Sequence, residues 1–388
     1  MLLFRIIFFT GCFVFSVKPL CETSSFKNIR GILSGKNKEN PTDIILDDCL
    51  EGSEKTRSYF TIEVTNQNVE RLNRGAFANL TLAALILKNN RINYIEKHAF
   101  LNTKNVQELD LNGNKLKALF KDVLNDLSGM VTLDLSNNQL EQIEDGAFAY
   151  LVSLEELNLS NNKLKVWNPN WFANNNRMHK LNAVGNLLET LPEKSFRDME
   201  KLSSLILRNN LLREIHPNAF DGLTTLKTLD LSVNKLTRLH EDTFAPFNGV
   251  VDPPTSTDRF SLAIYMPINV FAGLWDLYIH TNNLTYFSDK MMKDLTNTRS
   301  FGTFTFHSNP WQCACYLKIM QWADKKRIRL DGKGKGCYRR DNPVCVVPQK
   351  NPKECVENVE EDIRSLYFSK WKVPVDNFFD RNVVCNMF

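Results

Sequence analysis

Residues 154–172 read LEELNLSNNKLKVWNPNWF, and the same frame returns every 24 positions along much of the chain. Here the fixed positions are Leu154, Leu157, Leu159, Asn162, Leu164, Trp167 and Phe172. The next unit has Met178, Leu181, Ala183, Asn186, Leu188, Leu191 and Phe196, and the one after has Leu202, Leu205, Leu207, Asn210, Leu212, Ile215 and Phe220. Asn90, Asn114, Asn138, Asn162, Asn186, Asn210 and Asn234 mark seven units without a break. An amphipathic helix would repeat its apolar residues every 3.6 positions, and this frame does not.

The pattern has a direct physical reading. Two apolar residues separated by one position form a short strand with both side chains on one face. The Asn three residues on carries two donors and an acceptor, enough to satisfy the backbone of a buried turn. The later aliphatic residue and the Phe bring the chain back along the convex side. Each buried Leu or Phe contributes roughly 1.5–3 kcal/mol, but only when neighbouring coils cover it. The spacing therefore predicts an α/β solenoid, a horseshoe with a parallel β-sheet on its concave face.

The array is ragged at its ends. Upstream, Ile62, Val64, Gln67, Val69, Leu72 and Phe77 make an imperfect unit with Gln67 in the Asn position. Downstream, Leu277, Ile279, Asn282, Leu284 and Phe287 resume the pattern two periods after Asn234. Between them Pro253 and Pro254 stand where a strand belongs, and proline is excluded from a central strand. Residues 248–270 are expected to be a loop or a degenerate coil; an altered splice form would read the same. Repeats are expected over 59–308, ending with Phe301, Phe304, Phe306 and Asn309.

Arg5 followed by the apolar run from Ile6 to Phe15 and the small Ser16 reads as a signal peptide over residues 1–16. The run is shorter than the ~20 apolar residues a membrane span needs. Removing residues 1–16 leaves Cys21, Cys49, Cys313, Cys315, Cys337, Cys345, Cys355 and Cys385, an even set suited to disulfides in an oxidising compartment. No membrane span is expected elsewhere, so a mature protein outside the cell is predicted. Cys21 and Cys49 are expected to bridge within an atypical N-terminal cap, residues 17–58.

Asn309-Pro310-Trp311-Gln312-Cys313-Ala314-Cys315, with Leu317, Met320, Trp322 and the later cysteines, resembles the NPWxCxC cap of the animal extracellular leucine-rich-repeat family. Toll-type receptor ectodomains, Slit-like guidance proteins and insect secreted immune repeat proteins are members. The resemblance covers about residues 60–355. It implies a disulfide-bonded cap over 309–355, followed by a tail over 356–388. The family's alternating order implies bridges Cys313–Cys337 and Cys315–Cys355, which leaves Cys345 for Cys385. Cys345-Val346-Val347-Pro348 also resembles the family's third-cysteine context, and two extra cysteines depart from its pattern of four. A metal site at Cys313 and Cys315 is disfavoured, because a secreted chain directs thiols to disulfides.

In such a fold the residues flanking each inward Leu point into the concave face. Ile86 and Lys88, then Glu108, Asp110, Asp134, Glu156 and Asn158, then Lys180, Asn182, Ile206, Arg208, Asp230, Tyr278 and His280 are the candidate ligand contacts. The acidic run from Glu108 to Glu156 faces a later run with Lys180 and Arg208. Ile86, Ile206 and Tyr278 are candidate apolar anchors. Asp between two Leu is ordinary in this repeat class, so Asp110, Asp134 and Asp230 also have a generic reading.

Asn79, Asn158 and Asn283 head N-glycosylation sequons, and a glycan on Asn158 would push a ligand to one side of the array. Lys325, Lys326, Arg327, Arg329, Lys333, Lys335, Arg339 and Arg340 form a basic cap patch in a protein whose net charge is +4. A sulfated glycosaminoglycan or an acidic protein suits that patch; a solvated helix face with a flexible loop is the plainer reading. The small total charge makes no case for nucleic acid.

Catalysis finds no support. G-x-S-x-G and HExxH are absent, and His98, His179, His216, His240, His280 and His307 are scattered. No cofactor or metal is expected. Two functions remain. One is a recognition protein for a protein or glycan, as in innate immunity or cell-surface signalling. The other is a matrix component held by sulfated polysaccharide.

Overall fold

A computed structural model describes residues 24–36, 39–52, 58–248, 273–297, 300–330, 345–349, 351–357, 362–370 and 383–384. Short strands stack into one sheet of thirteen, from Thr42–Asp48 at one end to Arg329–Leu330 at the other. From Thr61–Glu63 onward the strands are parallel and in strict repeat register, Leu133 beside Leu109 and Leu157 beside Leu133. The predicted solenoid, with a large parallel sheet and few helices, is the observed fold.

The Asn ladder works as its chemistry requires. Asn162 Oδ1 accepts the amide of Leu140 at 2.9 Å, while its Nδ2 donates to the carbonyls of Leu135 and Leu159, both at 3.0 Å. Asn114, Asn138, Asn186, Asn210 and Asn234 repeat this arrangement. Gln67 bends its longer side chain back to the carbonyl of Thr65, so the first unit takes part only through its backbone: the Gln67 N–H donates to Asn90 Oδ1 and the Val64 carbonyl accepts from Asn90 Nδ2. The residue before each ladder Asn takes a left-handed conformation, from Asn89 to Ser308. Asn or Gly occupies that position in most coils, because other residues pay a steric penalty there.

Behind the sheet, aromatic rings stack coil on coil. Phe196 and Phe220 lie 6.0 Å apart and nearly parallel, and Trp167 reaches Phe196 at 5.1 Å. Trp167 satisfies its indole N–H on the carbonyl of Ser195, which lets so large a ring be fully buried.

Residues 249–272 lie outside the described residues, and so does all but Asn248 of the stretch expected to loop or degenerate. The coils on either side join directly. Thr228–Asp230 pairs with Asp276–Tyr278, and Asn282 serves Leu231 and Leu236 as though it were the next rung after Asn234. Both the sheet and the ladder pass straight across the two-period gap.

At the N-terminus the cap is a β-hairpin, Phe26–Ser34 with Thr42–Asp48, laid antiparallel on Thr61–Glu63. Phe26 packs edge-on against Phe77 at 5.3 Å and closes that end of the core. Cys49 is disulfide-bonded; Cys21, its expected partner, lies outside the described residues. The expected signal peptide, Cys337 and Cys385 do so too.

The C-terminal cap corrects the implied disulfides. Cys313 pairs with Cys345, not with Cys337, so Cys345 is not left for Cys385; Cys315 pairs with Cys355 as implied. Backbone pairing explains the difference. Val346 donates its amide to the carbonyl of Trp311 at 2.8 Å, which sets the Cys345 and Cys313 backbones 4.9 Å apart. With all four sulfurs in disulfides, the CxC pair has no thiolate for a metal.

Beyond Cys355 the chain folds back. Val356 and Gln312 bond each other through backbone and side chain, and a helix, Asp362–Lys370, packs Ile363 and Tyr367 against Val346. Arg364 then donates to the carbonyls of Thr237 and Asn283, one from each coil at the gap.

Candidate functional site: the concave sheet

Register across the sheet sets the outward side chains in three rows. The middle row runs Glu63, Ile86, Asp110, Asp134, Asn158, Asn182, Ile206, Asp230, Tyr278, Thr305. The structure thus brings the candidate contact residues onto one continuous surface.

Much of the middle row serves the fold. Asp110 accepts the amide of Asn112, Asp134 that of Ser136, Asn158 that of Ser160, Asn182 that of Val184 and Asp230 that of Ser232, at 2.8–3.1 Å. In five coils a short Asx side chain therefore closes the strand's exit, which is the local bonding that Asp and Asn offer best. Ile86, Ile206 and Tyr278 occupy the same row without an oxygen in that place.

Charges on this face are largely paired. Lys88 reaches Asp110 at 2.8 Å, and that hydrogen bond raises its ammonium above the usual lysine range. Burial opposes the shift, and the charges of Asp110, Asp134 and Glu108 add to it. Lys180 binds Glu156 at 2.5 Å. The acidic run and the basic residues are thus interleaved, not segregated into facing zones. Arg208 is exposed.

Two features of the last coils were not singled out from sequence. His280 and His307 stack with ring centroids 4.5 Å apart, each with Nδ1 3.0 Å from the hydroxyl of the next residue, Thr281 or Ser308. A His-Thr-Asn and a His-Ser-Asn, with a hydroxyl residue where most coils place Asn or Gly, are the signal that could have found them. Burial, then the neighbouring His307 and Arg208, pushes His280 down to about 4. The second feature is Arg329, which starts the last strand and pairs with Thr303, so the basic cap continues the concave sheet. Lys325, Lys326 and Arg327 are exposed at the end of the helix Cys313–Lys326. Lys333, Lys335, Arg339 and Arg340 lie outside the described residues.

Each of the three sequon asparagines is half-buried. Asn79 bonds Glu51 and Asn102, and Asn158 is tied on both sides, to Asp134 and Ser160. Asn283 lends its backbone carbonyl to Arg364. Among the described residues no group of three or more metal-ligating side chains converges.

A family model described as leucine rich repeat matches residues 61–116, 81–140, 128–188, 180–236 and 200–251. Among solved structures, the crystal structure of a TLR13–ssRNA13 complex superposes with a TM-score of 0.53 at 25% identity, over 64% of this chain and 32% of that one. The chain spans about a third of that protein's length. An LRR protein of Leptospira interrogans aligns at a TM-score of 0.41 and 20% identity, over 64% of this chain and 72% of that one. No curated protein matches the chain.

Proposed function

We propose that this leucine-rich repeat solenoid is a secreted, non-catalytic binding protein. In this reading its concave face takes a protein or glycan partner, in innate immunity or cell-surface signalling. The observation that carries it is the middle row. Five coils use that position to close the strand's exit, whereas Ile206 and Tyr278 give it up to place apolar surface outward. Partly exposed large side chains on a rigid sheet are the usual anchors of a partner.

Disulfides in the cap support an oxidising compartment. Among the described residues no helix is long and apolar enough to cross a membrane. The likeness to TLR13 supports an immune role. That protein's RNA is not carried over, because Lys88 and Lys180 on this face are already engaged by Asp110 and Glu156 and are not free to neutralise phosphates.

The row itself supplies the test. Asn is native to this position in other coils, so Ile206→Asn with Tyr278→Asn should fold normally. The expected result is that a partner captured from extracellular fluid by the unaltered protein is lost by the double variant. Equal capture by both proteins rejects the concave reading.

A second reading rests on the exposed Lys325, Lys326 and Arg327, where a sulfated glycosaminoglycan would hold the protein in the matrix. Retention on heparin that survives Lys325→Glu with Lys326→Glu rejects it.

A further inference from the structure

The geometry points to a second ligand site, on the flank of the first coils beside the N-terminal hairpin, that binds an acidic sugar. A groove of about 510 Å³ opens there, where the chain enters the first concave strands. Its wall carries two adjacent aromatic residues. Tyr59 is fixed by a hydrogen bond from its hydroxyl to Thr42, and Phe60 is 41% exposed although its backbone is bonded to Ser34, Ala83 and Ala84. An aromatic ring kept in water on a rigid backbone contributes little to the core, but it provides a flat apolar face for a pyranose ring to stack on.

The polar side of the groove points to charge. Lys36 and Lys104 both line it, and neither side-chain ammonium has an ion-pair or hydrogen-bond partner among the described residues. No carboxylate lines the groove among those residues, in a protein whose other face pairs most of its lysines. Lys104 sits on a turn closed by Thr103, and Gly129 lets the next coil approach the Lys104 carbonyl where a Cβ would come within 2.2 Å. That contact fixes the base of the lysine stem. Asn105 and Gln107 add amides of the kind that bond sugar hydroxyls. A stacking wall, amides and two unpaired ammonium groups together suit a saccharide carrying sulfate or carboxylate. An acidic peptide would use the lysines and leave the ring wall idle.

The full-length protein should be titrated calorimetrically with three tetrasaccharides of one backbone: sulfated, carboxylated and neutral. At least one acidic form should bind and the neutral form should bind at least tenfold more weakly. Lys36→Glu with Lys104→Glu, and separately Phe60→Ser, should each weaken binding tenfold or more, while Lys36→Arg with Lys104→Arg retains it. Ile206→Asn with Tyr278→Asn should leave it unchanged, which separates this site from the concave one. Failure of both acidic sugars to bind would overturn the assignment. So would equal binding of the neutral sugar, loss only in Lys325→Glu with Lys326→Glu, or tighter binding of an aspartate-rich peptide or an oligonucleotide at the same lysines.

Discussion

His280 and His307 lie face to face, ring centroids 4.5 Å apart and planes 12° from parallel, just past the ends of neighbouring strands of the concave sheet, Asp276–Tyr278 and Thr303–Thr305. Arg208, in the same outward row, is the charged group that acts on His280 beside His307. Burial first, then His307 and Arg208, makes the His280 imidazole resist protonation.

That relationship predicts an acid-sensitive fold. Unfolded, His280 takes up a proton near 6.5; folded, it does so only near 4. Between those values the unfolded chain binds more protons, so the contribution is full above pH ~6.5 and is lost as pH falls toward ~4. His280→Ser, matching Ser136, Ser160 and Ser232 in the same row, should flatten this dependence in urea denaturation curves at pH 7 and pH 4.5. An unchanged difference between the two curves would count against the stacked pair as its source.

Asn162→Leu fills similar volume but leaves the Leu140 amide and the carbonyls of Leu135 and Leu159 without their partner. At about 1–3 kcal/mol for each buried group left unpaired, the loss should reach roughly 3 kcal/mol or more. Thermal denaturation monitored by circular dichroism reads it directly. A loss below about 1 kcal/mol would mean that water replaces the ladder.

Arg364→Ala removes two bonds, one to a carbonyl of each of the two coils that pair directly on either side of residues 249–272. Hydrogen bonds from a charged donor are each worth about 1.5–3 kcal/mol, so stability should fall by at least that much. Faster protease cleavage between Asn248 and Gly273 should accompany the loss. A cleavage rate equal to that of the unaltered protein would show that the helix does not brace the gap.

The repeats were legible because their chemistry is local. A 24-residue frame of Leu, Asn and Phe leaves each coil few ways to pack. The middle row was only half legible, since Asp110 and Ile206 look alike as outward residues until the amide of Asn112 is seen on the Asp110 carboxylate. Cys313 found Cys345, 32 residues away, through a backbone pairing; the Cys345-Val346-Val347-Pro348 context hinted at it, and cysteine order alone did not. Arg329 looked like one charge in a cluster, and only the sheet register shows it joining the concave surface. The flank groove was not legible, because its lysines come from a hairpin and a turn 68 residues apart.

The central claim is that partners meet the concave sheet. A photo-reactive residue placed at Ile206 tests it most directly when compared with one at Val166, which is exposed on the returning side of its coil. The account predicts covalent capture of the partner from position 206 and none from 166. Capture from 166 alone, or equally from both, would contradict it.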